Sequence, residues 1–251
     1  MNSDFDPVAH NRAAWDRQVD LDNEWTRPVS AEVIERARHG DWSVVLIGYH
    51  PVDRSWFPAD LSGVDILCLA SGGGQQAPTL AAAGANVTVF DNSPRQLEQD
   101  EIVAERDGLS LTSVLGDMRD LSAFADGSFD IVFNPVSNLF CPDLTPVWRE
   151  CHRVLRKGGA LMCGFMNPDI YIFDIPALDR GELVVAHRLP VVDDTRVAAG
   201  EAVEYSHTLE EQIGGQLAAG FVMTGFAQAP HQADATGPYM PGYYATRAVK
   251  P

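Results

Sequence analysis

Positive charge is scarce in this sequence of 251 residues, which has 18 Lys and Arg against 35 Asp and Glu and a formal net charge of −17. Binding to nucleic acid or to an anionic membrane surface depends on clustered Lys and Arg, because neutralised phosphates release their counterions. The densest basic stretch, residues 149–157, is explained more simply as the end of a helix. The composition therefore argues against nucleic acid and membrane as partners and favours a small molecule.

Long apolar runs and closely paired cysteines are also missing. Apolar runs such as residues 43–48 fall far short of the ~20 residues that span a bilayer, and residues 1–20 are too polar and acidic for a signal peptide. The four cysteines form no Cys-x-x-Cys pair and stand at Cys68, Cys141, Cys151 and Cys163. Since two of them lie in apolar, strand-like runs, we expect buried, reduced thiols. These features predict a cytoplasmic protein.

The chain length allows one large α/β domain, alone or with a smaller cap. Residues 1–60 have two stretches of helical composition, 7–19 and 31–38, joined by an acidic link that carries a tryptophan. We predict that residues 1–60 form an N-terminal cap or lid. Residues 61–251 then form the main domain, with an insertion on the substrate side at about 166–205.

From Val64 onward, short apolar runs alternate with helical stretches. The predicted strands are 64–69, 86–90, 111–115, 129–133 and 160–165, and the predicted helices between them are 76–83, 94–107 and 144–155. Alternation of this length indicates βαβ units and a mostly parallel sheet. A later helix over 208–219 precedes two strands, 221–227 and 243–249. Because a loop rather than a helix joins these two strands, we expect them to pair antiparallel.

A glycine-rich turn, Gly72-x-Gly74-x-x-Ala77, follows the first predicted strand and opens a helix. Glycine is needed where the chain turns sharply with no side chain between it and a ligand. The pattern fits a dinucleotide site, another nucleoside cofactor or a tight turn without a ligand, so alone it discriminates little. The cofactor-binding residues predicted around this turn are Ala70, Ser71, Gly72, Gly74 and Gln75.

Two carboxylates are predicted to share one edge of the sheet with this turn. Asp91 ends the second strand, 17 residues after Gly74, where a carboxylate accepts both hydroxyls of a ribose. Gly116-Asp117-Met118 ends the third strand, where a carboxylate and a backbone N–H match the edge of an adenine. Alternatively, Asp91 serves its own turn with Asn92, and Asp117 caps a turn. Their joint occurrence favours a cofactor site that also includes Asn92.

At this point the chain resembles the class I S-adenosylmethionine-dependent methyltransferases, of the type 11 kind. The resemblance covers about residues 62–165 well and 205–250 loosely, on motifs at 66–74, 87–91, 116–120, 124–133 and 153–159. It implies S-adenosylmethionine as the cofactor. It also implies an α/β, Rossmann-like, seven-stranded and mostly parallel sheet with strand order 3-2-1-4-5-7-6, helices on both faces and an N-terminal helical cap.

Two positions depart from the family pattern: Cys68 stands where the family usually has an acidic residue, and Ala70 where it has a glycine. These departures leave open a protein that binds S-adenosylmethionine without catalysis, as a sensor or regulator. A third alternative is an NAD(P)-dependent oxidoreductase with the same kind of turn. Short-chain dehydrogenases need a Tyr-x-x-x-Lys pair, and no tyrosine of this chain has a lysine four residues later.

The resemblance implies methyl transfer by in-line displacement, which needs orientation and a dry site more than an obligatory acid or base. Asn134 and Asn138 follow the fourth strand and either orient cofactor and acceptor or make turn hydrogen bonds. Trp15 and Trp25 either form an aromatic lid over a small acceptor or pack inside the cap. His207 precedes the late helix as a general base or as a structural residue, and no His, Asp or Glu spacing predicts a metal. The acceptor, and the atom that is methylated, stay open.

Overall fold

The first 60 residues contain two helices and a small hairpin in the computed structural model, which describes residues 5–231 and 235–251. The elements are α1 (Pro7–Asp20), α2 (Ala31–Arg38), β1 (Val45–Ile47) and β2 (His50–Pro51). Asp6 caps α1 by accepting from the backbone amides of its first turn. Ser30 occupies the N-cap position of α2, but its side chain makes no capping hydrogen bond to the helix.

A seven-stranded sheet forms the centre of the molecule. Its first part comprises β3 (Asp65–Leu69), α3 (Gln76–Ala82), β4 (Asn86–Asp91), α4 (Pro94–Asp107), β5 (Leu111–Leu115), β6 (Phe129–Asn134), α5 (Thr145–Val154) and β7 (Leu155–Met166). The remaining elements are α6 (Ile175–Leu178), β8 (Val192–Asp193), β9 (Glu204–Tyr205), α7 (Gly215–Ala218), β10 (Val222–Pro230) and β11 (Pro241–Val249).

The order of strands across the sheet is β10-β11-β7-β6-β3-β4-β5. Strands β3 to β7 run parallel, whereas β11 is antiparallel to both β7 and β10. Numbered along the chain, the seven strands have the order 3-2-1-4-5-7-6. The predicted fold class and strand order are confirmed.

Helix α4 shows how local sequence sets the element boundaries. Ser93 accepts from the backbone amide of Gln96, Pro94 occupies the first turn, and Gly108 ends the helix with a φ of 64°. Proline fits the first turn because its missing N–H would have no partner there, and glycine adopts the left-handed ending without strain. This helix therefore has the bounds that the sequence predicts.

Three predicted boundaries differ from the structure for longer-range reasons. Strand β7 begins at Leu155 rather than at residue 160, because the backbone of Gly158 and Gly159 pairs with Lys250. The helix predicted over 208–219 is a π-helical turn, Glu210–Gly214, followed by α7. The insertion predicted at about 166–205, for which no strand was predicted, contains the antiparallel hairpin of β8 and β9.

Residues 42–61 contribute directly to the core beneath one face of the sheet. Trp42, Leu46 and Phe57 are buried in one apolar cluster with Ile66 of β3 and Phe133 of β6. A second cluster on the opposite face includes α5. The described part of residues 1–60 thus shares its core with the sheet, and the domain boundary at residue 60 stays a prediction.

Strand β1 lies directly over β7 at Gly164. A Cβ atom at Gly164 would collide with the carbonyl oxygen of Leu46 and with the side chain of Ile47. The backbone of β1 approaches the sheet this closely because residue 164 has no side chain.

All four cysteines are buried and unpaired. Over the described ranges, no helix is both long and apolar enough to cross a membrane.

Candidate functional site

A cavity of about 320 Å³ opens at the carboxyl ends of the parallel strands. Its walls include residues that follow β3, β4, β5, β6 and β7. Strand β3 lies between β4 and β6, so the connections leave it in opposite directions at this edge. Open α/β sheets bind ligands at such a switch point, and the volume is within the ~300–1,000 Å³ of small-molecule sites.

The glycine-rich turn after β3 is held by carboxylates from two other elements. The Gly72 amide donates to Asp91 Oδ2 at 3.0 Å, and the Gly73 amide donates to Asp100 Oδ2 at 3.1 Å. A Cβ atom at Gly72 would lie 2.6 Å from Cβ of Gln96 on α4. Glycine is required at position 72 because the turn contacts α4 this closely.

Ala70 begins this turn with a φ of 46°, in the left-handed region that favours glycine. Its amide donates to the Phe90 carbonyl oxygen at 2.7 Å. Ala70 therefore adopts a backbone conformation that favours glycine, the residue that the family usually has at this position. An alanine in this conformation stores local backbone strain at the cavity wall.

Asp100, which the sequence did not indicate, supports the glycine-rich turn without lining the cavity. It is fully buried in α4, and its Oδ1 atom has no hydrogen-bond partner among the described residues. Burial, with a further contribution from the Asp91 charge, raises the pKa of the Asp100 carboxyl well above its usual range. Burial and the Asp100 charge also raise the pKa of the Cys68 thiol. The carboxyl group that contacts the turn thus comes from α4, beside the cysteine that occupies the family's acidic position.

Asp91 lines the cavity and also serves its own turn. Its Oδ1 atom accepts from the Ser93 amide at 2.9 Å, in addition to the bond from Gly72 to Oδ2. Burial raises the pKa of Asp91, while these backbone donors lower it. Asp91 can therefore hold its own turn through two backbone donors and also bind a ligand, because it lines the cavity.

Asp117 also lines the cavity, with its carboxylate paired to a neighbouring cation. Both oxygens of Asp117 accept from the guanidinium of Arg119, the shortest distance being 2.6 Å to Oδ2. The flanking Gly116 and Met118 line the same wall. A Cβ atom at Gly116 would collide with the ring of Phe90, so this position requires glycine for packing as well.

The N-terminal segment is hydrogen-bonded to this rim. Arg12 of α1 donates to the carbonyl oxygen of Asn92 at 2.9 Å. Gln75 donates to the carbonyl oxygens of Glu24 and Arg27 at 2.8 and 3.0 Å. These bonds hold the segment over the glycine-rich turn and close the cavity on that side.

The structure brings most of the predicted site residues to one cavity. The predicted residues that line it are Trp15, Trp25, Ala70, Ser71, Gly72, Gln75, Asp91, Asn92, Gly116, Asp117 and Met118. Four others, namely Gly74, Asn134, Asn138 and His207, are not part of its wall. For these four the structure gives a packing or hydrogen-bonding role.

Gly74 and Asn134 contact the backbone of the turn region rather than the cavity. The Gly74 carbonyl oxygen accepts from the Val29 amide at 2.9 Å. Asn134 donates to the Leu69 carbonyl oxygen at 3.0 Å and to Ser137 Oγ at 2.9 Å. Asn134 therefore fixes the ends of β3 and β6 relative to each other.

Asn138 and His207 are buried away from the cavity. Asn138 donates to Gln212 Oε1 at 2.9 Å. His207 has a φ of 39°, and its Nε2 atom lies 2.7 Å from the Cys141 carbonyl oxygen. The arrangement of His207 matches the structural alternative, because its ring is engaged by backbone and does not reach the cavity.

The end of the cavity nearest β7 is largely apolar. Trp15 packs edge-on against Phe140 with ring centroids 5.1 Å apart, and Trp25 packs against Tyr49 at the same separation. The apolar side chains that line this end include Val45, Leu46, Ile47, Val136, Phe140 and Met166. The side chains at this end of the cavity therefore offer mainly apolar surface.

Glu204, which the sequence also did not indicate, is a charged residue at this apolar end. Its Oε2 atom accepts from the hydroxyl of Tyr171 at 2.6 Å. The side chain of Asn11 exchanges two hydrogen bonds with the backbone of the preceding residue, Val203, at 3.0 and 2.8 Å. No local motif could have identified Glu204, since its partners are distant in sequence.

Comparison with known proteins identifies the family to which this chain belongs. The family described as a methyltransferase domain matches residues 67–163. The chain is 46% identical over 256 residues to the uncharacterized methyltransferase YbaJ of Bacillus subtilis (strain 168), covering 97% of this chain and 98% of that protein. It is 27% identical over 194 residues to a ubiquinone biosynthesis O-methyltransferase of Xanthomonas oryzae pv. oryzae (strain PXO99A), covering 76% of each.

Solved structures share the fold. An S-adenosylmethionine-dependent methyltransferase from Mesorhizobium loti superposes with a TM-score of 0.62 at 20% identity, covering 78% of this chain and 94% of that one.

Proposed function

Because the chain belongs to the S-adenosylmethionine-dependent methyltransferases, we propose that it methylates a small molecule enclosed at the carboxyl edge of its sheet. One observation carries the proposal. A single cavity includes the glycine-rich turn and Asp91 at one end and the apolar wall around Met166 at the other. Donor and acceptor can therefore lie side by side in one enclosed space.

The closure of this cavity favours a small acceptor over a macromolecule. Trp15 and Trp25 of the N-terminal segment line it from outside the sheet, and the bonds of Arg12 and Gln75 hold that segment in place. A folded partner or a duplex could not insert between these side chains and the sheet. The net charge of −17 opposes a nucleic acid acceptor for the separate reason of repulsion.

The residues of the rim fit the cofactor chemically. In this proposal Asp91 accepts from ribose hydroxyls, and Asp117 with the backbone of Met118 binds the adenine; the support is that all three residues line the cavity. The hydroxyl oxygen of Ser71 is buried at the cavity with no partner among the described residues, which suits a polar ligand group. We assign Ser71 and Gln75 to the methionine end.

Bound S-adenosylmethionine supplies an electrophilic methyl group on a sulfonium. The protein contributes orientation and exclusion of water: the turn and Asp91 fix one reactant, and the apolar walls fix the other. The aromatic faces of Trp15 and Trp25 favour a cation in the cavity. Such a site raises the rate mainly by positioning.

Titration calorimetry with S-adenosylhomocysteine tests the cofactor site. We expect Asp91→Asn to weaken binding by about 1–3 kcal/mol, roughly 5- to 150-fold, because a charged hydrogen-bond acceptor is lost. Glu105→Gln, an exposed change on α4, is the matched control and should leave the affinity unchanged. Equal affinities of the Asp91 variant and the wild type would remove Asp91 from the site.

The acceptor is tested by release of S-adenosylhomocysteine across a panel of small hydroxyl, amine and thiol compounds. Turnover of a panel member supports the proposal. Tight cofactor binding with no turnover on any compound would instead favour a sensor that binds without catalysis. Binding of NADH in place of S-adenosylhomocysteine would overturn the cofactor site.

A further inference from the structure

The acceptor end of the cavity contains a carboxylate that positioning alone does not explain. Among the described residues that line the cavity, the charged side chains are Arg12, Asp91, Asp117 and Glu204. Arg12 binds Asn92, and the two aspartates lie on the cofactor rim. Glu204 alone of these four lies on β9, and it shares the cavity wall with Met166 at the end of β7.

One oxygen of Glu204 is available to a ligand. Oε2 accepts from the Tyr171 hydroxyl, and no described residue forms a hydrogen bond to Oε1. Tyr171 itself is buried, with 2% of its surface exposed, so this bond is shielded from water. Oε1 can therefore accept a hydrogen bond from a ligand in the cavity.

Several charged groups surround Glu204. Burial raises the pKa of Glu204, the Tyr171 bond lowers it, and the charge of Asp193 raises it again. Arg196 lowers this pKa and Glu201 raises it, but Arg196 forms its ion pairs with Asp179 and Glu201 at 2.5 and 3.6 Å. The carboxyl group is therefore a stronger base than an exposed glutamate.

We propose that Glu204 is the general base of the methyl transfer and that the acceptor is an apolar small molecule whose hydroxyl group donates to Glu204 Oε1. The proposal rests on the function proposed above. In the step, the acceptor oxygen forms a bond to the methyl carbon while the carbon–sulfur bond breaks. The electron pair of that bond stays on sulfur, which becomes a neutral thioether, and the hydroxyl proton passes to Glu204.

A hydroxyl group is the acceptor that most needs this base. Phenolic and alcoholic oxygens are neutral at physiological pH and become good nucleophiles only as the proton leaves. A thiol ionises near pH 8.5 without help. An acidic acceptor would be repelled by Glu204, and the remainder of this wall is apolar, which selects an apolar body for the molecule.

Tyr171 acts as a positioning residue in this scheme. Its hydroxyl holds one oxygen of Glu204 and leaves the other directed to the acceptor. We expect Tyr171→Phe to keep the packing of the ring and to raise the pKa of Glu204, since one donor to the carboxylate is lost. The low-pH limb of the activity profile should then move to higher pH.

Phenol and its methyl ether, anisole, are the probes for the binding test, each titrated by NMR into the protein saturated with S-adenosylhomocysteine. Phenol should bind the wild type more tightly than anisole does, because only phenol donates a hydrogen bond. Glu204→Gln should reduce phenol affinity about 10- to 100-fold, as expected for a hydrogen bond to a charged group, and leave anisole affinity unchanged. Glu105→Gln, an exposed change on α4 outside the cavity wall, is the matched control.

The pH dependence of phenol binding separates a base from a spectator. In the wild type, phenol affinity should fall as the pH is lowered through the pKa of Glu204, while anisole affinity stays constant. Glu204→Gln should abolish this dependence. Equal behaviour of the two probes, an unchanged pH dependence in the variant, or no binding of phenol would each overturn the proposal.

Activity supplies a second readout. For a hydroxyl acceptor, Glu204→Gln should lower kcat about 10²–10⁴-fold with little change in the affinity for S-adenosylhomocysteine. If S-adenosylhomocysteine fails to bind the wild type, the proposed function fails. If it binds and Glu204→Gln turns over a hydroxyl acceptor at the wild-type rate, only the inference about Glu204 fails.

Discussion

A buried acid on α4 contacts the glycine-rich turn beside the position in β3 where the family usually has an acidic residue. Asp100 accepts from the Gly73 amide, while Cys68 occupies the position where the family usually has an acidic residue. A carboxyl group enclosed on all sides loses its hydration, so its neutral form is favoured. The conformation of the turn is therefore linked to the protonation of one residue.

Asp100→Asn should alter the pH dependence of stability. Because the pKa of Asp100 is raised in the folded state, its contribution to stability is fully present below the ordinary carboxyl pKa of about 4 and is lost as the pH rises through the raised value. Asparagine does not ionise and still accepts from Gly73. The free energy of unfolding of the variant should therefore increase relative to that of the wild type as the pH rises.

Urea unfolding in steps from ~pH 5 to ~pH 8 measures this difference. Glu105→Gln on the exposed side of α4 should give a curve parallel to that of the wild type. A constant difference between Asp100→Asn and the wild type over the whole range would contradict the assignment of a raised pKa.

The sequence identifies the rim of the site but not its interior. Gly72, Asp91 and Asp117 follow strands directly, so their place at one edge follows from the topology. Asp100 lies in the middle of α4 among other acidic residues. Nothing in the local sequence distinguishes this buried acid from the exposed ones. Glu204 reaches the cavity through a hairpin whose partners are distant in sequence. Neither position carries a local signal.

At the scale of elements, Asn11 connects three segments. Its side-chain nitrogen donates to the carbonyl oxygens of Phe140 and Val203, each at 3.0 Å, and its oxygen accepts from the Val203 amide at 2.8 Å. Helix α1, the loop after β6 and the strand that carries Glu204 are thus fixed by one buried amide. The acceptor end of the cavity is assembled at this contact.

Asn11→Ala should destabilise the protein by about 1–3 kcal/mol, because buried backbone groups of Phe140 and Val203 lose their partners. Urea unfolding gives the value. Asn86→Ala, at the exposed start of β4, removes an amide of the same size and should cost less. Equal costs for the two changes would show that the Asn11 bonds do not couple the segments.

Elements were predictable where their signals are local. Strands β3, β4 and β5 and helix α4 have bounds within one residue of the predicted ones, because apolar runs, glycines and caps mark them. The hairpins of β1–β2 and β8–β9 were missed, since strands of two or three residues show no periodicity. The early start of β7 depends on the pairing of Leu155 with Phe129 of β6 and of Gly158 and Gly159 with Lys250 after β11, which are distant in sequence or on another strand.

At the scale of the whole molecule, the bound cofactor should contact segments that are far apart in sequence and stabilise their association. Residues from the N-terminal segment, the first half of the sheet and the β8–β9 hairpin all line the cavity. A ligand that contacts only the folded state stabilises the entire fold by mass action. Binding at one small site should therefore raise the free energy of unfolding of the whole chain.

S-adenosylhomocysteine at 100 times its Kd should add about 2.7 kcal/mol to the free energy of unfolding. Urea unfolding with and without the ligand measures the gain. NADH at the same concentration is the control and should leave the transition where it is. A gain from NADH equal to that from S-adenosylhomocysteine would contradict the selectivity of the site.

The contact at Gly164 gives the cavity wall an unusual determinant. Leu46 and Ile47 line the acceptor end, and they lie as deep as they do because Gly164 beneath them has no side chain. The width of the cavity at this wall therefore depends on Gly164, which does not itself line the cavity. Shorter side chains at positions 46 and 47 should widen the cavity for a bulkier compound. Gly164 should stay unchanged, because any side chain there would displace this wall.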